Sequence, residues 1–208
     1  MSKARALVGV TLVPVLACTG PQSKTEMKQE NVVSQPSQPP ALSQPSTPSQ
    51  APGCSATLRV EAQQADGVRM VAVLRNDGPA PVHVLQAQRM PYVLVEGTDQ
   101  IVFAWSIQPI PADVDLGAIE VLDTVEIPAG GELRRDASLR LPLEVSTHLR
   151  GPQRYPGQLP ATVKVVAEFG VVHQALDPKA RHRQSYTALL ADQRACRTQP
   201  VTVTLGKP

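Results

Sequence analysis

The chain is 208 residues long, enough for one domain and its flanking segments, and carries 20 Lys and Arg against 18 Asp and Glu. The surplus of positive charge is Lys3 and Arg5. Residues 1–17 contain no Asp or Glu, so residues 18–208 hold 18 basic and 18 acidic side chains and are formally neutral. That balance lacks the electrostatic footprint of a nucleic-acid binder, and no nucleic-acid partner is expected.

The N-terminus has a basic start at Lys3 and Arg5 and an apolar run from Ala6 to Ala17 that ends in Val15-Leu16-Ala17-Cys18. About a dozen apolar residues are too few to cross a hydrocarbon core, which needs roughly 20. They fit the hydrophobic region of a secretory signal, and Pro14 disfavours a continuing helix. Val-Leu-Ala-Cys resembles the lipobox of bacterial lipoproteins. The resemblance implies that residues 1–17 are a signal peptide, that Cys18 is the lipidated residue, and that the lipid holds the chain at a membrane. Thr19, where an aspartate would mark inner-membrane retention, implies the outer membrane in a Gram-negative host.

The chain has three cysteines. With Cys18 assigned to lipid by that resemblance, Cys54 and Cys196 are free to pair in an oxidising compartment. They stand at the first residue of the folded region and just before its last apolar run, so terminal strands lying side by side would join them. Between anchor and fold, residues 18–53 are dominated by Pro, Ser, Gln and Thr. Too few apolar residues occur here to offset ordering entropy, and a disordered, partly polyproline-II tether is expected.

Residues 54–208 read as one all-β domain. Thr57 to Ala62 alternates apolar and polar residues. Arg69 to Arg75 is more continuously apolar, as a central strand would be, and stops at the turn Asn76-Asp77-Gly78-Pro79. Strands follow at Val82–Leu85, Tyr92–Val95 and Ile101–Trp105, the last two flanking a hairpin loop at Glu96–Gln100. Ile119–Ile127, Leu133–Leu141, Thr162–Val172 and Val201–Leu205 complete the set. Ser185 to Ala195 is read as either a helix, from its near-helical spacing of Tyr186, Leu189, Leu190 and Gln193, or an extended loop. Short strands at roughly ten-residue spacing predict a sandwich or barrel.

Three stretches resemble known families. Val71 to Val84, an apolar strand followed by Asn-Asp-Gly-Pro-Ala-Pro-Val, resembles strands B and C of bacterial immunoglobulin-like domains. Ile127-Pro128-Ala129-Gly130-Gly131-Glu132 resembles a turn many of them carry. Gln100 to Ser106 is similar to a hairpin strand of the intracellular proteinase inhibitor family. The resemblance implies an immunoglobulin-like antiparallel β-sandwich and, from the inhibitors, an alternative role as a protease regulator. A closed barrel carrying a lipid is the alternative architecture.

Candidate sites are few. Phe103 and Trp105 share one face of a strand and are expected in the core rather than on a sugar-binding platform. Asp113 and Asp115, with Glu120, Asp123 and Glu126, form an acidic stretch without a regular calcium-loop pattern. His83, His148, His173 and His182 show no metal-ligand spacing, and no metal or other cofactor is expected. Ser185, near His182 and Asp177, lacks a nucleophile elbow, so the chain is read as non-enzymatic. Lys179, Arg181, His182, Arg183, Arg194 and Arg197 form a basic stretch interrupted by Asp192. They are the candidate binding surface for anionic lipid or an acidic partner face. The resulting expectation is a lipoprotein of the bacterial cell envelope whose sandwich binds another envelope protein or a cell-wall component.

Overall fold

A computed structural model describes residues 53–64, 66–110, 120–177 and 185–205, all within one compact unit, Gln44–Pro208. The leader, Cys18, nearly all of the expected tether, Asp113, Asp115, Lys179, Arg181, His182 and Arg183 lie outside the described residues. In chain order the elements are β1 (Cys54–Gln64), β2 (Gly67–Asn76), β3 (Val82–Gln86), β4 (Tyr92–Glu96), β5 (Gln100–Trp105) and β6 (Asp123–Ile127). They continue with β7 (Glu132–Arg140), β8 (Glu144–Val145), β9 (Gln153–Arg154), β10 (Thr162–Val172), helix α1 (Tyr186–Asp192), β11 (Arg194–Arg197) and β12 (Val201–Thr204).

The fold is an all-β sandwich. One sheet has the order β1-β2-β7, antiparallel throughout, with β2 central as its apolar run predicts. Val68, Met70, Ala72 and Leu74 of β2 point into the core, while Arg69 and Arg75 point to solvent. On β7 the exposed residues Glu132, Arg134, Asp136, Ser138 and Arg140 alternate with more buried ones. Charges of both signs along this edge strand discourage edge-to-edge association.

The second sheet is built around β10. One flank of β10 pairs with β12 and then β11. The other pairs with β5 and then with β3, and β4 and β6 lie beyond these. The β5–β10 pairing is parallel, so the sheet is mixed rather than wholly antiparallel. Between β5 and β10 the chain visits β7 in the opposite sheet, so no hairpin dictates their relative direction. At the break between β11 and β12, Thr198 serves both backbone groups of Ala167. Its N–H donates to the Ala167 carbonyl at 3.0 Å, and its Oγ1 accepts from the Ala167 N–H at 3.0 Å. The strands divide between separate sheets, and no ladder closes them into one barrel among the described residues.

The core between the sheets includes Leu58, Met70, Leu74, Ile101, Phe103, Trp105, Leu139, Val165 and Phe169. Trp105 stacks on Phe169 with ring centroids 5.1 Å apart, which places the expected core aromatics where expected. The disulfide Cys54–Cys196 joins β1 of one sheet to β11 of the other, with a Cα–Cα separation of 6.4 Å. It closes a loop 142 residues apart in sequence. The chain-entropy model gives such a loop about 5 kcal/mol as an upper figure.

The expected strands are present, with one shortened: the segment expected from Ile119 starts at Asp123. The Ser185–Ala195 stretch holds two elements. Ser185 caps α1 through its side chain, which accepts from Ala188 N, and β11 begins at Arg194. The short β8–β9 hairpin was not anticipated.

Asn76 closes β2 and is fully buried. Its Nδ2 donates to the carbonyls of Ala80 (2.8 Å), Ile127 (3.1 Å) and Pro128 (3.1 Å), and its Oδ1 accepts from Gly78 N at 3.0 Å. One side chain thus fixes the β2–β3 turn and the β6–β7 turn together. Replacing Asn76 by Ala strands several buried backbone groups and is expected to lower unfolding free energy by about 3 kcal/mol. Chemical denaturation checks this, with a lower midpoint at unchanged slope.

Candidate functional site

Most strands of a sandwich have a buried and a solvated face. From Val165 onward β10 is buried on both. Val163, Val165, Ala167 and Phe169 enter the core between the sheets, while Val166, Glu168, Gly170 and Val172 face outward and are covered by other elements. That covered outer face carries the polar chemistry of the domain.

Strand register sets Tyr92 of β4, Ala104 of β5, Glu168 of β10 and Arg197 of β11 in one cross-strand row. Glu168 is 7% exposed. Arg197 Nε donates to its Oε2 at 2.6 Å, and Ser106 Oγ and Gln108 Nε2 (3.0 Å) donate to its Oε1. Arg197 Nη2 also donates to Glu96 Oε1, and Gln100 Nε2 holds the other oxygen of Glu96 at 2.6 Å. Arg197 thus ties β11 to β10 through Glu168 and to the end of β4 through Glu96. Burial works against its charge, but the bonds to Glu96 and the charge of Glu168 outweigh that and raise its pKa.

Gln108 links this row to a second cluster. Its carbonyl accepts from the Tyr186 hydroxyl of α1 at 2.8 Å. Tyr186 stacks on His148, whose other side meets Tyr92 edge-on. The Tyr92 hydroxyl donates to Glu120 Oε2 at 2.9 Å. Arg89 donates from Nε to the same oxygen at 3.0 Å and from its backbone N–H to Glu120 Oε1 at 2.7 Å. Burial, followed by the Glu120 carboxylate, raises the Tyr92 hydroxyl pKa; burial alone raises that of Tyr186. The α1 end is held by Gln193, whose amide pairs with both backbone groups of Ile107 at 2.8 and 2.9 Å. Gly170 makes room for it: a Cβ there would lie 2.4 Å from Gln193 Oε1.

The sequence-nominated residues do not converge here. Among the six basic candidates, Arg194 is exposed on β11 and Arg197 is held by two carboxylates; the other four lie outside the described residues. Within the acidic stretch, Glu120 turns inward to Arg89 and Tyr92, and Asp123 Oδ1 accepts from Thr124 N. No group of three or more His, Cys, Asp or Glu suited to a metal ion occurs among the described residues. His83 and His173 stand apart from buried His148, and Ser185 is a helix cap.

Sequence reading missed Glu168 and His148. Glu168 had a signal: it interrupts the apolar run Val165–Val172, and a carboxylate inside a strand buried on both faces needs a cationic partner. His148 had none, because its burial depends on a hairpin docking from a distant part of the chain.

Ser106 and Glu168 have the residue types of a nucleophile and a base. Ser106 is fully buried, however, and the second oxygen of Glu168 is tied to Arg197, so the pair acts as a structural polar network. An Arg197→Met variant would leave that carboxylate without its cation. It is expected to lose about 3 kcal/mol of stability, and adding Glu168→Gln to it should restore a large part. Denaturation midpoints of both single variants and the double variant check this; additive losses would show the residues uncoupled.

No family model matches the chain, and no curated protein and no solved structure is significantly similar to it.

Proposed function

We propose that the chain is a lipid-anchored cell-envelope protein whose β-sandwich is a non-enzymatic module binding another envelope protein or a cell-wall component. The observation that carries this reading is the Cys54–Cys196 disulfide. It supports an oxidising compartment, and it leaves Cys18 of Val15-Leu16-Ala17-Cys18 as the remaining cysteine of the chain. An exported chain whose remaining cysteine immediately follows an apolar leader matches the pattern of the bacterial lipobox. Multiple acyl chains on Cys18 would hold it firmly at a membrane.

The composition of residues 18–53 supports the same reading. As a coil such a segment spans about 30–40 Å, and fully extended roughly 100 Å, so a domain on it would sample a wide zone beyond the bilayer. A binding role is supported by the way Glu168, Arg197, Glu120 and Arg89 are committed to one another, which leaves these groups no free chemistry. With Arg197 turned inward, the rest of the basic stretch, from Lys179 to Arg194, remains the candidate contact surface, with Arg194 its exposed described member.

A Cys18→Ser chain, or globomycin treatment of the parent, is expected to shift the mature mass and move the protein from the detergent phase to the aqueous phase. Unchanged mass and partitioning would overturn the anchor. For the binding role, crosslinking of the anchored chain should enrich a defined envelope component, and Arg194→Glu should reduce it severalfold. Equal recovery from the variant would remove this surface.

A further inference from the structure

The β8–β9 hairpin ends in the turn Thr147-His148-Leu149-Arg150. Thr147 and Arg150 exchange both backbone hydrogen bonds, at 2.9 and 3.2 Å, and Thr147 Oγ1 accepts from Leu149 N and Arg150 N. Central positions of such a turn ordinarily face water. Here His148 is 2% exposed, driven onto the outer face of the β10 sheet. The hairpin reaches it by fastening to β4: Ser146 N donates to the Val93 carbonyl at 2.9 Å, and Ser146 Oγ accepts from Val93 N at 3.1 Å.

The imidazole is held by rings rather than by hydrogen bonds. Its centroid lies 4.8 Å from that of Tyr186 on α1, with the ring planes nearly parallel at 20°, and 6.1 Å from that of Tyr92 on β4. Neither Nδ1 nor Nε2 has a hydrogen-bond partner among the described residues. Among the described residues, the charged groups facing it are Arg89, before β4, and Glu120, before β6. Arg89 Nη2 donates to the carbonyl of His148 itself at 2.9 Å. Both Glu120 oxygens are already engaged, Oε1 by Arg89 N and Oε2 by Arg89 Nε and the Tyr92 hydroxyl, and no hydrogen bond joins either to the imidazole.

A neutral imidazole tolerates this place because stacking offsets its lost hydration. A protonated one would bury two N–H donors without acceptors, beside a guanidinium. We propose that the Thr147–Arg150 turn is an acid-released latch: protonation of His148 undocks the hairpin tip and uncovers Tyr92 and Tyr186.

Burial, aided by Arg89 and opposed by Glu120, lowers the His148 pKa from 6.5 to about 4. A base whose pKa is depressed by docking takes up its proton in the undocked state. Docking is therefore at full strength above the undocked value of about 6.5, weakens as pH falls, and stops weakening below about 4. Between pH 7 and pH 5 the open fraction should rise about twentyfold.

Amide hydrogen exchange of the full chain, corrected for intrinsic rates, tests the latch. Protection at Ser146, Thr147 and Arg150 is expected to fall about twentyfold from pH 7 to pH 5, while Val165 and Ala167 of β10 keep theirs. His148→Phe keeps a ring on Tyr186 and removes the titrating group, so its hairpin protection should be independent of pH. The His148 Cε1 proton resonance of the parent chain provides a second readout that needs no variant. A histidine that titrates near 6.5 with the hairpin still protected would overturn the proposal. So would the same acid loss of protection in His148→Phe.

Discussion

Burial of β10 on both faces is the constraint on which the rest of this domain depends. A strand in a two-sheet sandwich obtains one cover from the opposite sheet. The second cover has to come from elements outside the sandwich proper, and here it comes from three places. The β8–β9 hairpin folds past the β4 edge, α1 packs near the end of β10, and the Arg197 guanidinium links β11 to Glu168 of β10 and Glu96 of β4. Each is short or single, and none would be stable alone. They persist because Val102, Ala104, Val166 and Val172 must be shielded from water.

The second cover differs in chemistry from the first. Between the sheets the packing is almost wholly apolar, with the Trp105–Phe169 stack at its centre. On the outer face apolar patches alternate with a polar network that runs from Glu96 through Arg197, Glu168 and Gln108 to Tyr186, and resumes at Tyr92, Glu120 and Arg89. Replacing such a network by apolar residues need not destabilise a fold, whereas removing one member leaves a buried group alone. Its contribution is therefore to specificity of position: it fixes where the three covering elements sit. His148 is the exception within it, placed by rings and by a carbonyl contact with no bond to its own nitrogens.

Much of the first layer was legible in the sequence. Alternation in β1 and β7, the apolar run of β2, and the Asn76–Pro79 turn each follow from local physics, and local physics is what a sequence displays directly. Even the disulfide could be anticipated, because assigning Cys18 left two cysteines at the ends of the fold. The second layer was legible only in part. Val163–Val172 announces a strand buried on both sides, but it does not say what covers the outer face. β8 and β9 are two residues each, too short for any periodicity to show. Arg197 and Glu120 looked like members of a basic stretch and an acidic stretch, because composition groups charges by neighbourhood in the chain. Register and turns regroup them by neighbourhood in space, and these two turned inward.

The penultimate strand, β11, joins the two layers. Successive side chains of β11 point to opposite faces, so Cys196 enters the core and Arg197 emerges on the outer face. The disulfide to β1 fixes the position of β11 along β10. It therefore also fixes the point from which the arginine starts across the sheet. One residue step converts a covalent constraint between the sheets into the placement of a charge on the far side. That placement lets Glu168 remain in the segment of β10 that is covered on both faces. The residue pair Cys196-Arg197 thus accounts for both how the sandwich is tied shut and how its second cover is held in register.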